Sequence, residues 1–180
     1  MERQRTTALP AEAELARQME YIREIRQEND RYFAETGKHK KFYSLAMGCQ
    51  MNAHDSEKLE GMLDEMGYER TQEETEADFI IYNTCCVREN AELKVYGKLG
   101  WLKHYKKQNP NAVVALCGCM MQQQHIIDTV KSKYPWVDII FGTHNIHRFP
   151  ELLSKVYGEK MKIAEVFEDS ADIVEGLPAK

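Results

Sequence analysis

A chain of 180 residues, 43% hydrophobic and 29% charged, has the make-up of one ordinary globular domain, with length to spare for an appended arm. Its net charge of −5 excludes a globally basic nucleic-acid binder, so any such contact must be local or come from another domain. No apolar run approaches the roughly 18 residues that span a bilayer, and the first residues, MERQRTTALP, lack a secretory core. The expected location is therefore cytoplasmic. There, five cysteines read first as metal ligands, reactive thiols or buried small residues rather than disulfides.

Residues 1–40 are rich in Arg, Glu and Gln and read as a charged helical arm. Pro10 can open the helix, and Leu15, Met19 and Ile22 recur at helical spacing. Residues 42–47 form an apolar run ending in Gly48-Cys49, followed by a helical stripe of Leu59, Met62, Leu63 and Met66 that Gly67 can stop. Residues 68–71 are a candidate short strand. Residues 79–82 are a clear strand ending in Asn83-Thr84-Cys85. The next helix is marked by Ala91, Val95, Leu99 and Leu102 and ends at Asn109-Pro110. Residues 113–116 form a buried strand ending in Cys117-Gly118-Cys119. Ile126, Ile127, Val130 and Tyr134 form another stripe before Pro135. A strand over 137–141 ends in Gly142-Thr143-His144, a helix covers 150–157, and a candidate strand covers 162–166.

Strands alternating with helices predict an α/β fold, a Rossmann- or flavodoxin-like three-layer sandwich around a mostly parallel sheet of four or five strands. The expected organisation is an arm over 1–40, the domain over 41–158 and a tail or linker over 159–180. In strand order 2-1-3-4-5, Cys49, Cys85 and Cys119 follow three neighbouring strands and open at the carboxyl edge, where ligands of open α/β sheets bind. Three such loops span roughly 10 Å.

Thiolates are soft ligands suited to iron–sulfur clusters and zinc. Three at matched positions favour a shared metal or cluster over three unrelated buried thiols, although free cysteine often packs as a small hydrophobe. Cys86 and Cys117 read as bystanders, because neighbours along an extended chain face opposite ways. A zinc module adding His144 or His147, and a thiol redox pair of Cys117 and Cys119, stay open as alternatives.

The motifs Met47-Gly48-Cys49-Gln50-Met51-Asn52 with Asp55-Ser56-Glu57, Asn83-Thr84-Cys85 with Val87-Arg88-Glu89-Asn90-Ala91, and Gly118-Cys119-Met120 with Gln122 resemble the methylthiotransferase family. Gly142-Thr143-His144-Asn145 and Phe149-Pro150-Glu151-Leu152 extend the likeness, which covers about residues 42–157. The form of the first two motifs, and Gln50 in particular, is most similar to the MiaB-type tRNA branch. Sister branches act on threonylcarbamoyladenosine in tRNA or on a ribosomal protein.

The resemblance implies an enzyme that methylthiolates carbon 2 of N6-dimethylallyladenosine beside the tRNA anticodon. It implies a 4Fe-4S cluster on Cys49, Cys85 and Cys119 with one open iron, involved in sulfur insertion. A second 4Fe-4S cluster and S-adenosylmethionine would belong to a radical domain, whose C-x-x-x-C-x-x-C motif this sequence does not contain. The chain is thus expected to be the N-terminal domain of such an enzyme, inactive alone, partnered by radical and RNA-binding domains and by tRNA, with no membrane contact. Cys86 stands where the family usually has Ser, and Met121 where a small residue is common.

No catalytic residue is assigned. Asn52 and Asn83 can donate hydrogen bonds to cluster sulfurs, or Asn52 can cap the helix that follows. Arg88, Lys94, Lys98, Lys103, Lys106 and Lys107 cluster on or near one helix, with Trp101 and Tyr105 beside them. That grouping reads first as a solvated face with packed aromatics and, as a minority alternative, as an RNA contact.

Overall fold

The computed structural model describes residues 11–47, 50–85, 91–159 and 163–165. Six strands make one sheet: β1 (Lys41–Ala46), β2 (Glu69–Arg70), β3 (Phe79–Thr84), β4 (Val113–Gly118), β5 (Ile139–Phe141) and β6 (Ile163–Glu165). Their order is β2-β1-β3-β4-β5-β6, and every pairing among the described residues is parallel. The expected 2-1-3-4-5 order is present, and the candidate strand near residue 164 adds a sixth member. Helices α1 (Ala11–Thr36), α2 (Gln50–Glu65), α3 (Ala91–Gln108), α4 (Gln124–Lys133) and α5 (Phe149–Glu159) supply the outer layers.

Two apolar cores follow from the two-residue period of the strands. Phe79, Ile81, Val113, Ala115 and Cys117 face α1, α2 and α5, while Ile80, Tyr82, Val114 and Leu116 face α3 and α4. All residues of β3 and β4 are buried, as expected for central strands covered on both sides.

The N-terminal helix is docked on this sheet. Ile22 and Ile25 enter the first core, and the same stripe continues through two buried polar residues, Gln18 and Asn29. Gln18 donates to Glu151 Oε2 at 3.2 Å and accepts from the Glu151 backbone N–H at 3.1 Å. Arg17, Arg148 and Lys155 surround the same carboxylate at 2.8, 3.1 and 3.2 Å. Burial pushes the Glu151 carboxyl up, but Arg148, Gln18 and Lys155 outweigh it and hold the group below its ordinary range.

Asn29 donates to the Met66 carbonyl at 2.9 Å, serving the end of α2. That end is a Schellman motif: Gly67 at φ +89° lets its own N–H reach Asp64 O and the Tyr68 N–H reach Leu63 O. The predicted strand over 137–141 begins two residues later than expected. The Asp138 carboxylate accepts the Val114 N–H at 2.9 Å, a bond that a strand carbonyl would otherwise take.

Candidate metal centre

The carboxyl ends of β1, β3 and β4 lie side by side. Their register pairs Ala46 with Asn83 and Asn83 with Cys117, then Thr84 with Gly118. One step further, Cys85 and Cys119 leave adjacent strands at the same level, where neighbouring strands are about 4.8 Å apart. The Met47 N–H donates to Asn83 O at 2.7 Å, so β1 stays joined to β3 until two residues before Cys49. Cys49 and Cys86 lie outside the described residues.

Two neutral residues lock the β3 and β4 ends together. The buried Thr84 hydroxyl donates to Cys117 O at 2.7 Å. Gly118 adopts φ +103°, ψ 179°, a region essentially closed to residues with a Cβ. A Cβ there would also collide with the Thr84 carbonyl and sit 2.7 Å from Asn83 Oδ1. This bend turns the chain out of β4 into a 3₁₀ turn, Cys119–Gln122, and sets Cys119 Sγ 3.8 Å from Thr84 O. Cys85 is buried and Cys119 half-buried. The position of Thr84 just before Cys85 carries no sequence signal of this role, whereas a glycine between two cysteines at a strand end does.

The other candidates fall in distinct places. Cys117 is fully buried in the core beneath α2, where burial, with the Asp55 carboxylate adding to it, pushes its thiol well above the ordinary range. It is thus poorly suited to supply a thiolate. Asn83 is buried and its amide donates to Ser56 Oγ on α2 at 3.1 Å, tying that helix to the end of β3. Asn52 lies in the first turn of α2, which begins at Gln50, and so is not the helix cap. His144 is exposed and His147 half-buried, both in the 3₁₀ segment Thr143–Arg148 after β5. Among the described residues no three His, Cys, Asp or Glu side chains form a metal-binding group, so neither histidine completes a site with Cys85 and Cys119.

The donor chemistry fits a thiophilic metal group. Two thiols leave adjacent strands at one level, and a third cysteine follows Met47 immediately before α2. The sixteen-residue α2 starts at Gln50, the residue after Cys49 in the sequence.

A family model described as "Uncharacterized protein family UPF0004" matches residues 41–142, which runs from β1 through β5 and includes all five cysteines. Three curated proteins, each named tRNA-2-methylthio-N(6)-dimethylallyladenosine synthase, align with the chain. The one from Clostridioides difficile (strain 630) is 48% identical over 177 residues, 98% of this chain and 37% of that protein. The one from Acetivibrio thermocellus is 52% identical over 164 residues, 91% of this chain and 34% of that protein. The one from Alkaliphilus oremlandii is 57% identical over 143 residues, 79% of this chain and 30% of that protein. The chain thus spans about a third of the length of the curated relatives it matches. With a matched segment that covers most of the parallel sheet and its cysteine edge, the chain belongs to the UPF0004 family.

Proposed function

We propose that this chain is the N-terminal iron–sulfur domain of a tRNA methylthiotransferase acting on N6-dimethylallyladenosine beside the anticodon. In this reading Cys49, Cys85 and Cys119 hold a 4Fe-4S cluster with one open iron. The single observation that supports it is the pairing of Thr84 with Gly118, the residues just before Cys85 and Cys119 on neighbouring strands, with the strand leading to Cys49 on the other side of β3. The names of the relatives support the substrate.

When bound, such a cluster supplies an open iron at which sulfur can be held for insertion. The protein's own residues do the positioning. In this reading Thr84 and Gly118 set the spacing of two ligands, and Asn83 anchors α2 through Ser56. Burial of Cys85 at 2% exposure keeps water from one side of the site. In this reading S-adenosylmethionine and the second cluster belong to a separate radical domain.

Anaerobic reconstitution tests the reading. The expected product is brown and holds about one cluster per chain by iron and sulfide content. Replacing Cys49, Cys85 or Cys119 singly by Ala abolishes loading, whereas Cys86→Ala and Cys117→Ala retain it. A full cluster in all three ligand variants, or stoichiometric zinc without iron, refutes the assignment.

A further inference from the structure

Helix α3 carries two features that the domain itself does not use. Residues 93–108 hold five lysines and one histidine and no Asp or Glu, in a chain of net charge −5. Two of the lysines turn inward to structural partners: Lys98 meets Glu74 at 2.8 Å and Lys106 meets Asp138 at 2.7 Å. Lys94, Lys103 and Lys107 are exposed and make no ion pair among the described residues; Lys103 lies only over the Trp136 ring, at 6.0 Å.

The second feature is the apolar content of the outward face. Val95, Leu99, Leu102 and Tyr105 already anchor α3 to the sheet. Yet Leu93, opposite the buried stripe, is 68% exposed, and Trp101, on the flank of the helix eight residues on, is 40% exposed. Between them stand Gly97 and Gly100, each with nothing within 4 Å of where a Cβ would be. Interior helix glycines destabilise relative to alanine, and nothing inside the domain requires these two. Small residues there permit close approach by something outside.

We infer that the outward face of α3 is an RNA docking surface, with Lys94, Lys103 and Lys107 on phosphates, Gly97 and Gly100 admitting the sugar–phosphate backbone, and Trp101 stacking on a base. Charge selects the occupant: a cationic helix on an acidic domain complements a polyanion, and an exposed indole offers a stacking plane. Trp101 is already held by stacking on Tyr105, with ring centroids 6.1 Å apart, while the Tyr105 hydroxyl donates to Ala77 O. The helix begins at Ala91, six residues after Cys85, so RNA lying along it has one end at the cysteine edge. This inference rests on the proposed tRNA-modifying role and adds the surface that engages the substrate.

The test is a titration of fluorescein-labelled anticodon stem-loop RNA with the 180-residue chain, read by anisotropy across a salt series. Wild-type affinity is expected to fall as salt rises. The K94E/K103E/K107E variant is expected to weaken binding at least about tenfold and to flatten the salt dependence. W101A should weaken it about fivefold or more. A control, K38E/K131E/K133E, reverses the same number of exposed lysines elsewhere and should shift affinity by less than about twofold if the face rather than net charge is recognised. Equal loss in both triple variants, no loss in the α3 variant, or no wild-type binding at protein concentrations up to about 10⁻⁴ M overturns the inference. Another protein segment covering α3 would show itself as unchanged RNA affinity in the α3 variant. Iron content measured on the same samples keeps this outcome apart from the cluster assignment. A variant that loads iron but binds RNA as wild type does sinks the docking surface alone.

Discussion

The two edges of the sheet are closed by different chemistry. At the amino edge, carboxylates do the work: Asp78 accepts the Lys41 N–H at 2.9 Å, and Asp138 accepts the Val114 N–H at 2.9 Å while pairing with Lys106 at 2.7 Å. At the carboxyl ends of β3 and β4 the fasteners are neutral, namely the Thr84 hydroxyl, the Asn83 amide and the bare Cα of Gly118. Charge at the first edge ties strand to helix. One edge is thus fastened by charge and the other by neutral groups, and it is at the neutral edge that the proposed ligands lie, where ligands of open parallel sheets bind.

The sharpest way to break the carboxyl edge is Gly118→Ala. The added methyl meets the Thr84 carbonyl and the Asn83 amide, and the backbone there is one that alanine rarely adopts. Overpacking and backbone strain together should cost about 3 kcal/mol. Urea unfolding should show that loss, and iron loading should fall sharply even under conditions in which the variant remains folded. Full iron loading by the folded variant would mean that the bend does not set the ligand spacing.

Asp138→Ala probes the opposite edge. It leaves the Val114 N–H without this acceptor and Lys106 without its carboxylate, both in surroundings only about 15% exposed at the pair. The expected loss of stability is about 2 kcal/mol, with iron loading per folded chain unchanged. Chemical denaturation combined with iron analysis checks both halves. Loss of iron in step with Gly118→Ala would erase the distinction between the edges.

Legibility in the sequence divides along the same line. Strand order, the α2 stripe of Leu59, Met62, Leu63 and Met66, and the stop at Gly67 follow from local periodicity and glycine chemistry, and the structure has them. The thiols at strand ends stood out because cysteine after a buried strand is chemically distinctive. What stayed hidden depends on partners far along the chain. The buried stripe of α1 includes Gln18 and Asn29, which no hydrophobic pattern selects, since their partners are Glu151 and Met66. The late start of β5 needs Asp138 to be seen beside Val114. The part Thr84 plays needs Cys117 O on the neighbouring strand. Cys49 lies outside the described residues, so the convergence of all three sulfurs stays a proposal.

The gentlest change bears on α3, which runs back from the cysteine edge along the outside of the second core. Within the domain, Gly97→Ala and Gly100→Ala should each be stabilising, by roughly 0.5–1 kcal/mol, because a methyl at either position meets nothing and removes backbone freedom from the unfolded chain. Thermal unfolding should therefore rise for each variant and rise further for the pair. If the glycines exist for close approach of RNA, the same pair should bind the stem-loop more weakly while being more stable. Opposite movement of the two readouts separates a contact surface from a stretch of helix that merely tolerates glycine. A variant that gains stability with unchanged RNA affinity would leave the lysines and Trp101 as the whole of the α3 contact and remove the glycines from it.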